Sequence, residues 1–240
     1  MRKNFIYIKY NNYCFAPTLL PSLIVLTLFP LLIYLGFWQI HRGDFKKHAQ
    51  ILFSQGSLST AIEINKKNNI GIEKNYFPGV LHGYFDNQHT FLLENKIYLH
   101  RVGYAILTPF KLDGGQKVVL VNRGWVPEGR DRTQLPKIPT FDHEINIEGL
   151  IVFPNKTFSF NSAYKTGWPK KIQTINPEFL KKNNFQPFII VINNQSVYSF
   201  TPYWQPIVLP ASRHYAYAFQ WFSLSITLII VYFLTHIHRL

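Results

Sequence analysis

The sequence has one cysteine, Cys14, and one methionine, at position 1. A single thiol excludes an intramolecular disulfide framework and any zinc site built from clustered cysteines. With no second soft ligand it also excludes a sulfur-rich Cu(I) cluster. Charge is scarce: Asp, Glu, Lys and Arg make up 15% of 240 residues, against roughly 25% in soluble domains. Acid is scarcer still, with 12 Asp+Glu against 25 Lys+Arg and a formal net charge of +13. Catalytic and nucleotide signatures are missing: there is no G-x-S-x-G, Walker loop, G-x-G-x-x-G or H-E-x-x-H. Aromatic residues, by contrast, reach 17%, with 21 Phe and 14 Tyr, a composition that excludes a disordered chain.

The apolar residues gather at the two ends. Tyr10 to Ile40 holds no charged residue, and Tyr215 to Thr235 holds neither charge nor histidine. Each run reaches the roughly 20 residues that a helix needs to cross a hydrocarbon core. The first ends in Gly36-Phe37-Trp38-Gln39-Ile40-His41-Arg42. It is longer than a signal-peptide core of about 7–15 residues and has no small-residue cleavage site, so it reads as an uncleaved anchor. Pro30 inside it predicts a kink, because it removes a backbone donor and clashes with the preceding turn.

The expected layout follows: a tail over 1–18, a membrane helix over 19–40, an extramembrane domain over 41–213, a second membrane helix over 214–235 and a tail over 236–240. Arg2, Lys3 and Lys9 mark one tail; His236, His238 and Arg239 mark the other. Basic short tails stay in the cytoplasm, which puts the central segment on the far side. Trp38, Tyr215, Tyr217 and Trp221 lie where amphipathic rings prefer the headgroup level. The basic surplus suits anionic lipid or an acidic partner. It does not suit nucleic acid, since the lysines are scattered and no recognition motif is present.

Between the anchors, Phe45, His48, Ala49, Leu52 and Phe53 keep helical spacing, with Gly56 as a stop. Short strands follow, predicted over Val80–Phe85, Thr90–Leu93, Ile97–Thr108 (ending at Pro109), Lys117–Asn122, Ile145–Leu150, Ile172–Thr174 and Phe188–Ile192. Asp113-Gly114-Gly115 is hairpin chemistry. Asn176-Pro177-Glu178 predicts an N-cap and first turn of a helix ending near Asn183. The expected fold is two transmembrane α-helices flanking a mainly antiparallel β (α+β) domain, a sandwich or partly open barrel.

Three places are candidates for chemistry. Asp142-His143-Glu144 has an acid–base look, but neighbours on a strand face opposite sides, and a solvated edge is the better reading. Asn122-Arg123-Gly124-Trp125-Val126-Pro127 is the densest motif. Gly124 and Trp125 there read as structural, while Arg123 suits packing or a partner surface equally. At the membrane boundary His41 follows the first span and His214 precedes the second. They are either interfacial polar residues or metalloporphyrin ligands, for which neutral imidazole is a common donor. Tyr217 and Trp221 lie near the His214 face of a helix, with Ser225 below, and could hold a flat apolar ligand or a second helix.

Four of these segments, in order, resemble the surfeit locus protein 1 family. Leu35-Gly36-Phe37-Trp38-Gln39 with Arg42 and Lys46 resembles its first-anchor signature. Val121-Asn122-Arg123-Gly124-Trp125-Val126-Pro127 resembles its central signature, and Ile147-Glu148-Gly149-Leu150 the strand after it. Arg213-His214-Tyr215-Ala216-Tyr217-Ala218-Phe219-Gln220-Trp221-Phe222 resembles the opening of its second anchor. The resemblance implies a non-enzymatic assembly factor for haem–copper cytochrome c oxidase, holding haem a for the oxidase core subunit alongside other assembly factors. His214 is the histidine carried over; His41 as a second ligand rests on its position alone. The expected cofactor site is His214 with Tyr217 and Trp221, and Trp38, Gln39, Arg42, Asn122, Arg123, Gly124 and Trp125 are expected partner or structural positions. The expected location is a bacterial inner membrane with a periplasmic central domain, or alternatively the mitochondrial inner membrane. A cofactor-free scaffold and a membrane-anchored enzyme on an apolar substrate are the competing readings.

Overall fold

The computed structural model describes residues 8–10, 12–67, 69–115, 117–129, 134–156, 167–206 and 209–239. In chain order the elements are β1 (Ile8–Tyr10), β2 (Tyr13–Phe15), α1 (Leu19–Ser57), β3 (Ile62–Glu63), β4 (Pro78–Phe85), β5 (Phe91–Tyr98), β6 (Arg101–Leu112), β7 (Val118–Pro127), β8 (Ile145–Val152), β9 (Lys170–Ile172), α2 (Pro177–Lys182), β10 (Phe185–Ile192), α3 (Ala211–His236) and β11 (Ile237–Arg239). They fall into a terminal unit, residues 1–50 with 207–240, and a central unit, residues 51–206.

In the terminal unit α1 and α3 are both long and apolar enough to cross a membrane. Large apolar side chains such as Leu20, Leu26, Phe219 and Leu234 stay exposed along them, as suits a hydrocarbon surrounding. The helices meet where side chains are small. A Cβ on Gly36 would come within 2.5 Å of the Phe222 ring, and one on Gly43 within 2.5 Å of the Tyr215 ring. Gly36 and Gly43 are seven residues apart, as are Tyr215 and Phe222. The same contact therefore recurs every two turns, a small-residue seam of the kind that lets membrane helices approach closely. Ala218 and Ser225 are buried on that same stripe of α3.

The chain ends are not simple tails. β1, β2 and β11 form a three-stranded antiparallel sheet, with Lys9 and His238 on either side of Cys14. Ala16 N–H donates to the His236 carbonyl at 2.9 Å, so the two ends of the chain are fastened together. Three-residue strands of mixed polarity carry too little alternation to be read from sequence.

The central unit is β-rich, and five of its strands close on themselves. The order β4-β8-β10-β7-β6 returns to β4 through a β4–β6 pairing, with β3, β5 and β9 as extensions. Pairings are antiparallel except β3–β4, β5–β9 and β7–β10. Closure depends on a close approach at Gly83, which has φ 154° and where a Cβ would sit 2.0 Å from the Lys111 carbonyl oxygen. The inside is packed by Leu81, Phe110, Val121, Ile147, Phe188 and Ile190. On the other face α2 buries Leu180 over Leu107, Leu120 and Ile172. The α2 start is as predicted: Asn176 is the N-cap and its Oδ1 accepts from Phe179 N–H at 2.8 Å.

The strand predicted over Ile172–Thr174 lies at Lys170–Ile172, and the prediction over Ile97–Thr108 needs correction at both ends. Ile97–Thr108 is not one strand. β5 ends at Tyr98 and β6 begins at Arg101, with Leu99 and His100 both at positive φ (45° and 62°) in the turn. Neither residue has the Asn or Gly chemistry that signals such a turn, so strand register imposes it. β6 also does not stop at Pro109. It pairs with β5 as far as Leu107 and with β4 from Phe110 onward. Pro109 lies between these two neighbours, its carbonyl accepting from Asp86 N–H in the gap. A strand residue's N–H points the same way as its C=O, so the missing proline donor costs no ladder bond here.

Candidate functional site

The central motif is built by a bulge. Ile106 pairs with Gly124 and Leu107 with Asn122, leaving Arg123 as the extra residue of β7. Gly124 takes φ 112°, and a Cβ there would lie 2.8 Å from the Thr201 carbonyl oxygen. That closeness lets the segment after β10 pair against the bulge. Phe200 N–H donates to the Arg123 carbonyl, and Trp125 N–H donates to the Thr201 carbonyl at 2.8 Å. Asn122 is buried; its Oδ1 accepts from Gly124 N–H at 3.1 Å and its Nδ2 faces the Tyr203 hydroxyl at 3.5 Å. Trp125 is buried with Nε1 donating to the Lys96 carbonyl at 2.8 Å.

Arg123 is 1% exposed, so its side chain is a core element and not a surface anchor. The guanidinium lies 4.8 Å from the Phe85 ring centre, 5.2 Å from Phe141 and 4.9 Å from Phe200. Its Nε donates to the Tyr198 carbonyl at 3.0 Å and a terminal nitrogen to the Pro139 carbonyl at 3.4 Å. Among the described residues no carboxylate pairs with it. Burial pushes its pKa down to about 10, which still leaves a cation at neutral pH. Ring quadrupoles and two carbonyls replace the water it has lost.

Beside this motif, within the central unit, is a groove of about 480 Å³ lined by Phe53, Trp204, Tyr203, Asn122, Glu148 and Asn193 among others. Burial raises the Tyr203 hydroxyl above its ordinary range, outweighing the Asn122 hydrogen bond. The described lining contains no His, Cys or Lys. Asp142, His143 and Glu144 are all exposed, as expected of a solvated edge.

The other site is in the terminal unit. His214 Nδ1 and Gln39 Oε1 are 2.8 Å apart. With the amide oxygen, which can only accept, facing Nδ1, the contact is made by the tautomer that donates from Nδ1. His214 Nε2 is buried and has no hydrogen-bond partner among the described residues. An imidazole with one nitrogen hydrogen-bonded and the other left unpartnered has the arrangement that a haem iron takes from a histidine. Among the described residues no three His, Cys, Asp or Glu side chains gather as a site for a bare metal ion.

On α3, at about 100° per residue, Tyr215, Ala218 and Phe222 form the seam facing α1, and His214 sits at its edge. Tyr217 and Trp221 lie further round, away from the seam. Tyr217 is 44% exposed and Trp221 half-buried, so their rings flank His214 without filling the helix contact. Ser225 belongs to the seam, with Oγ donating to the Phe222 carbonyl at 2.7 Å. On α1, His41 is about 200° round from Gln39 and exposed. The fold therefore does not bring His41 and His214 together: Gln39 takes the position toward His214 and turns His41 outward. Trp38 and Arg42 are exposed on α1, one turn apart, with the guanidinium 5.8 Å from the ring centre. Asp44 is a member that the sequence did not point to; its Oδ1 accepts from the Tyr215 hydroxyl at 2.8 Å. A lone acid after an apolar run gives no signal of its partner.

A family model described as the SURF1 family matches residues 26–226. A SURF1-like protein of Rickettsia bellii (strain RML369-C) is 27% identical over 235 residues, covering 88% of each chain. One from Rickettsia felis (strain ATCC VR-1525 / URRWXCal2) is 28% identical over 237 residues, covering 88% of this chain and 94% of its own. One from Rickettsia prowazekii (strain Madrid E) is 28% identical over 232 residues, covering 88% and 87%.

Proposed function

The chain belongs to the SURF1 family of oxidase assembly factors, and from that premise we propose that it holds haem a through His214 for insertion into the core subunit of a haem–copper cytochrome c oxidase. The observation that carries this reading is the buried, unpartnered Nε2 of His214, whose other ring nitrogen is tied to Gln39. Leaving such an atom unpaired costs about 1–3 kcal/mol unless something uses it. Haem a would supply an iron that takes an imidazole nitrogen, and His214 is the residue that would hold it.

The protein's own part is to hold and to shield. Gln39 fixes the ring orientation, Tyr217 and Trp221 offer flat apolar surface beside it, and the glycine seam keeps α1 and α3 close. The family's work is assembly rather than turnover. On this reading the chain is a two-span protein of a bacterial inner membrane, with the central unit in the periplasm. It contacts the lipid bilayer, the oxidase core subunit and other assembly factors. A second reading, a cofactor-free scaffold, draws on the groove beside Asn122 and Trp204, which offers a partner an aromatic-lined recess in the β-rich unit.

The test is the Soret absorbance per protein in membranes from cells that make haem a. His214→Ala should lose the band while the protein inserts and folds, and His41→Ala should keep it. Full retention in the His214 variant, at unchanged wavelength, would leave the scaffold.

A further inference from the structure

Resting on the reading of His214 as a haem ligand, we propose that Gln39 is its positioning residue, and that a neutral amide at this place keeps the iron bond weak enough for release. The argument starts from the ring. A neutral imidazole can carry its proton on either nitrogen, and only one tautomer leaves Nε2 free to donate its lone pair. Gln39 Oε1, 2.8 Å from Nδ1, selects that tautomer.

Gln39 is itself held in register. Gly36 and Gly43 precede and follow it on α1, and their backbones press on the Phe222 and Tyr215 rings of α3. A larger residue at either glycine would move Gln39 away from His214. Tyr215, the neighbour of His214, is also tied to α1 through Asp44. The hydrogen bond that orients the ligand is thus a product of the helix seam.

The chemistry of the acceptor matters as much as its position. Histidines that bind metals permanently often donate Nδ1–H to a carboxylate, which makes the other nitrogen more basic and the metal bond stronger. An amide oxygen carries no net charge. It orients the ring and adds little basicity. Glutamate has the same shape as glutamine, so a carboxylate would fit this position. A protein that must pass its cofactor on is served by the weaker acceptor.

Two variants and two readouts test this in the full-length protein in detergent. The first readout needs no haem. Nitrogen-15 shifts of the His214 ring in the haem-free protein, assigned by difference from His214→Ala, should show Nδ1 protonated and Nε2 bare. Q39L should lose that preference. The second readout is the rate at which haem a passes to an excess of apomyoglobin. Q39L should release it about tenfold faster and Q39E about tenfold more slowly, the lower end of what outer partners of a metal ligand contribute.

A proton on Nε2 in the wild-type protein would overturn the proposal. So would wild-type release rates in both variants. If the wild type carries no haem at all, the ligand reading fails alone, and the nitrogen shifts still decide whether Gln39 sets the tautomer.

Discussion

Arg123 in the central unit and His214 in the terminal unit both carry buried polar atoms with no carboxylate paired to them among the described residues, and they are treated in opposite ways. Around Arg123 three aromatic rings and two carbonyl oxygens surround the cation. It is a finished piece of core, and its positive charge is used up in place. His214 has one nitrogen satisfied by Gln39 and the other bare. Among the described residues the β-rich unit leaves no buried side-chain nitrogen or oxygen without a partner. The helix pair leaves one open, as a site for something else does. Burial alone does not mark a functional residue; the number of its bonds left unmade does.

The contrast is broken most directly at Arg123. Arg123→Ala should destabilise the central unit by about 3 kcal/mol or more, since it leaves a cavity among Phe85, Phe141 and Phe200 and removes the donor to the Tyr198 and Pro139 carbonyls. Thermal unfolding of the full-length protein in detergent measures it, and a loss below about 1 kcal/mol would deny Arg123 its structural role.

Gly124→Ala tests the bulge that places Arg123. The positive φ and the Thr201 carbonyl 2.8 Å from the added carbon should cost about 1–3 kcal/mol. Hydrogen exchange should speed up first at Trp125 N–H, which donates to that carbonyl.

His214→Ala in the haem-free protein should cost no more than about 1 kcal/mol, the net worth of one hydrogen bond. A larger loss would make His214 as structural as Arg123 and erase the difference between the two regions.

The smallest effect is in pH. Burial raises the Asp86 carboxyl, but hydrogen bonds from Lys111 and His89 outweigh it and hold the carboxyl below its ordinary range. A lowered folded value means stability present above the unfolded pKa of about 3.9 and lost as pH falls through the folded value. Asp86→Asn should flatten that acid limb of the unfolding curve; an unchanged slope would remove Asp86 from the account.

How much of this was readable beforehand depended on whether the signal was local. The two apolar runs, the Asn176 cap and the Asp113-Gly114-Gly115 turn each announce themselves within a few residues. The short terminal strands, the Leu99-His100 turn and the passage of β6 through Pro109 do not, because tertiary neighbours decide them. The site divides the same way. His214 stands out as a histidine at the edge of an apolar run, and Gly124 as a glycine at a strand end. That Gln39 faces His214 while His41 faces away depends on the angle of α1 against α3, which Gly36 and Gly43 set. The cage around Arg123 draws Phe85, Phe141 and Phe200 from distant parts of the chain, and no spacing in the sequence connects them.

The central claim is that the bare Nε2 of His214 is where the ligand attaches. The most direct measurement is haem a content of His214→Gly with and without added imidazole, read as Soret absorbance per protein. The account predicts loss of the band in the variant and its return with imidazole, because the free ring replaces the missing donor in a site that is otherwise intact. Wild-type haem content in His214→Gly without imidazole would contradict it.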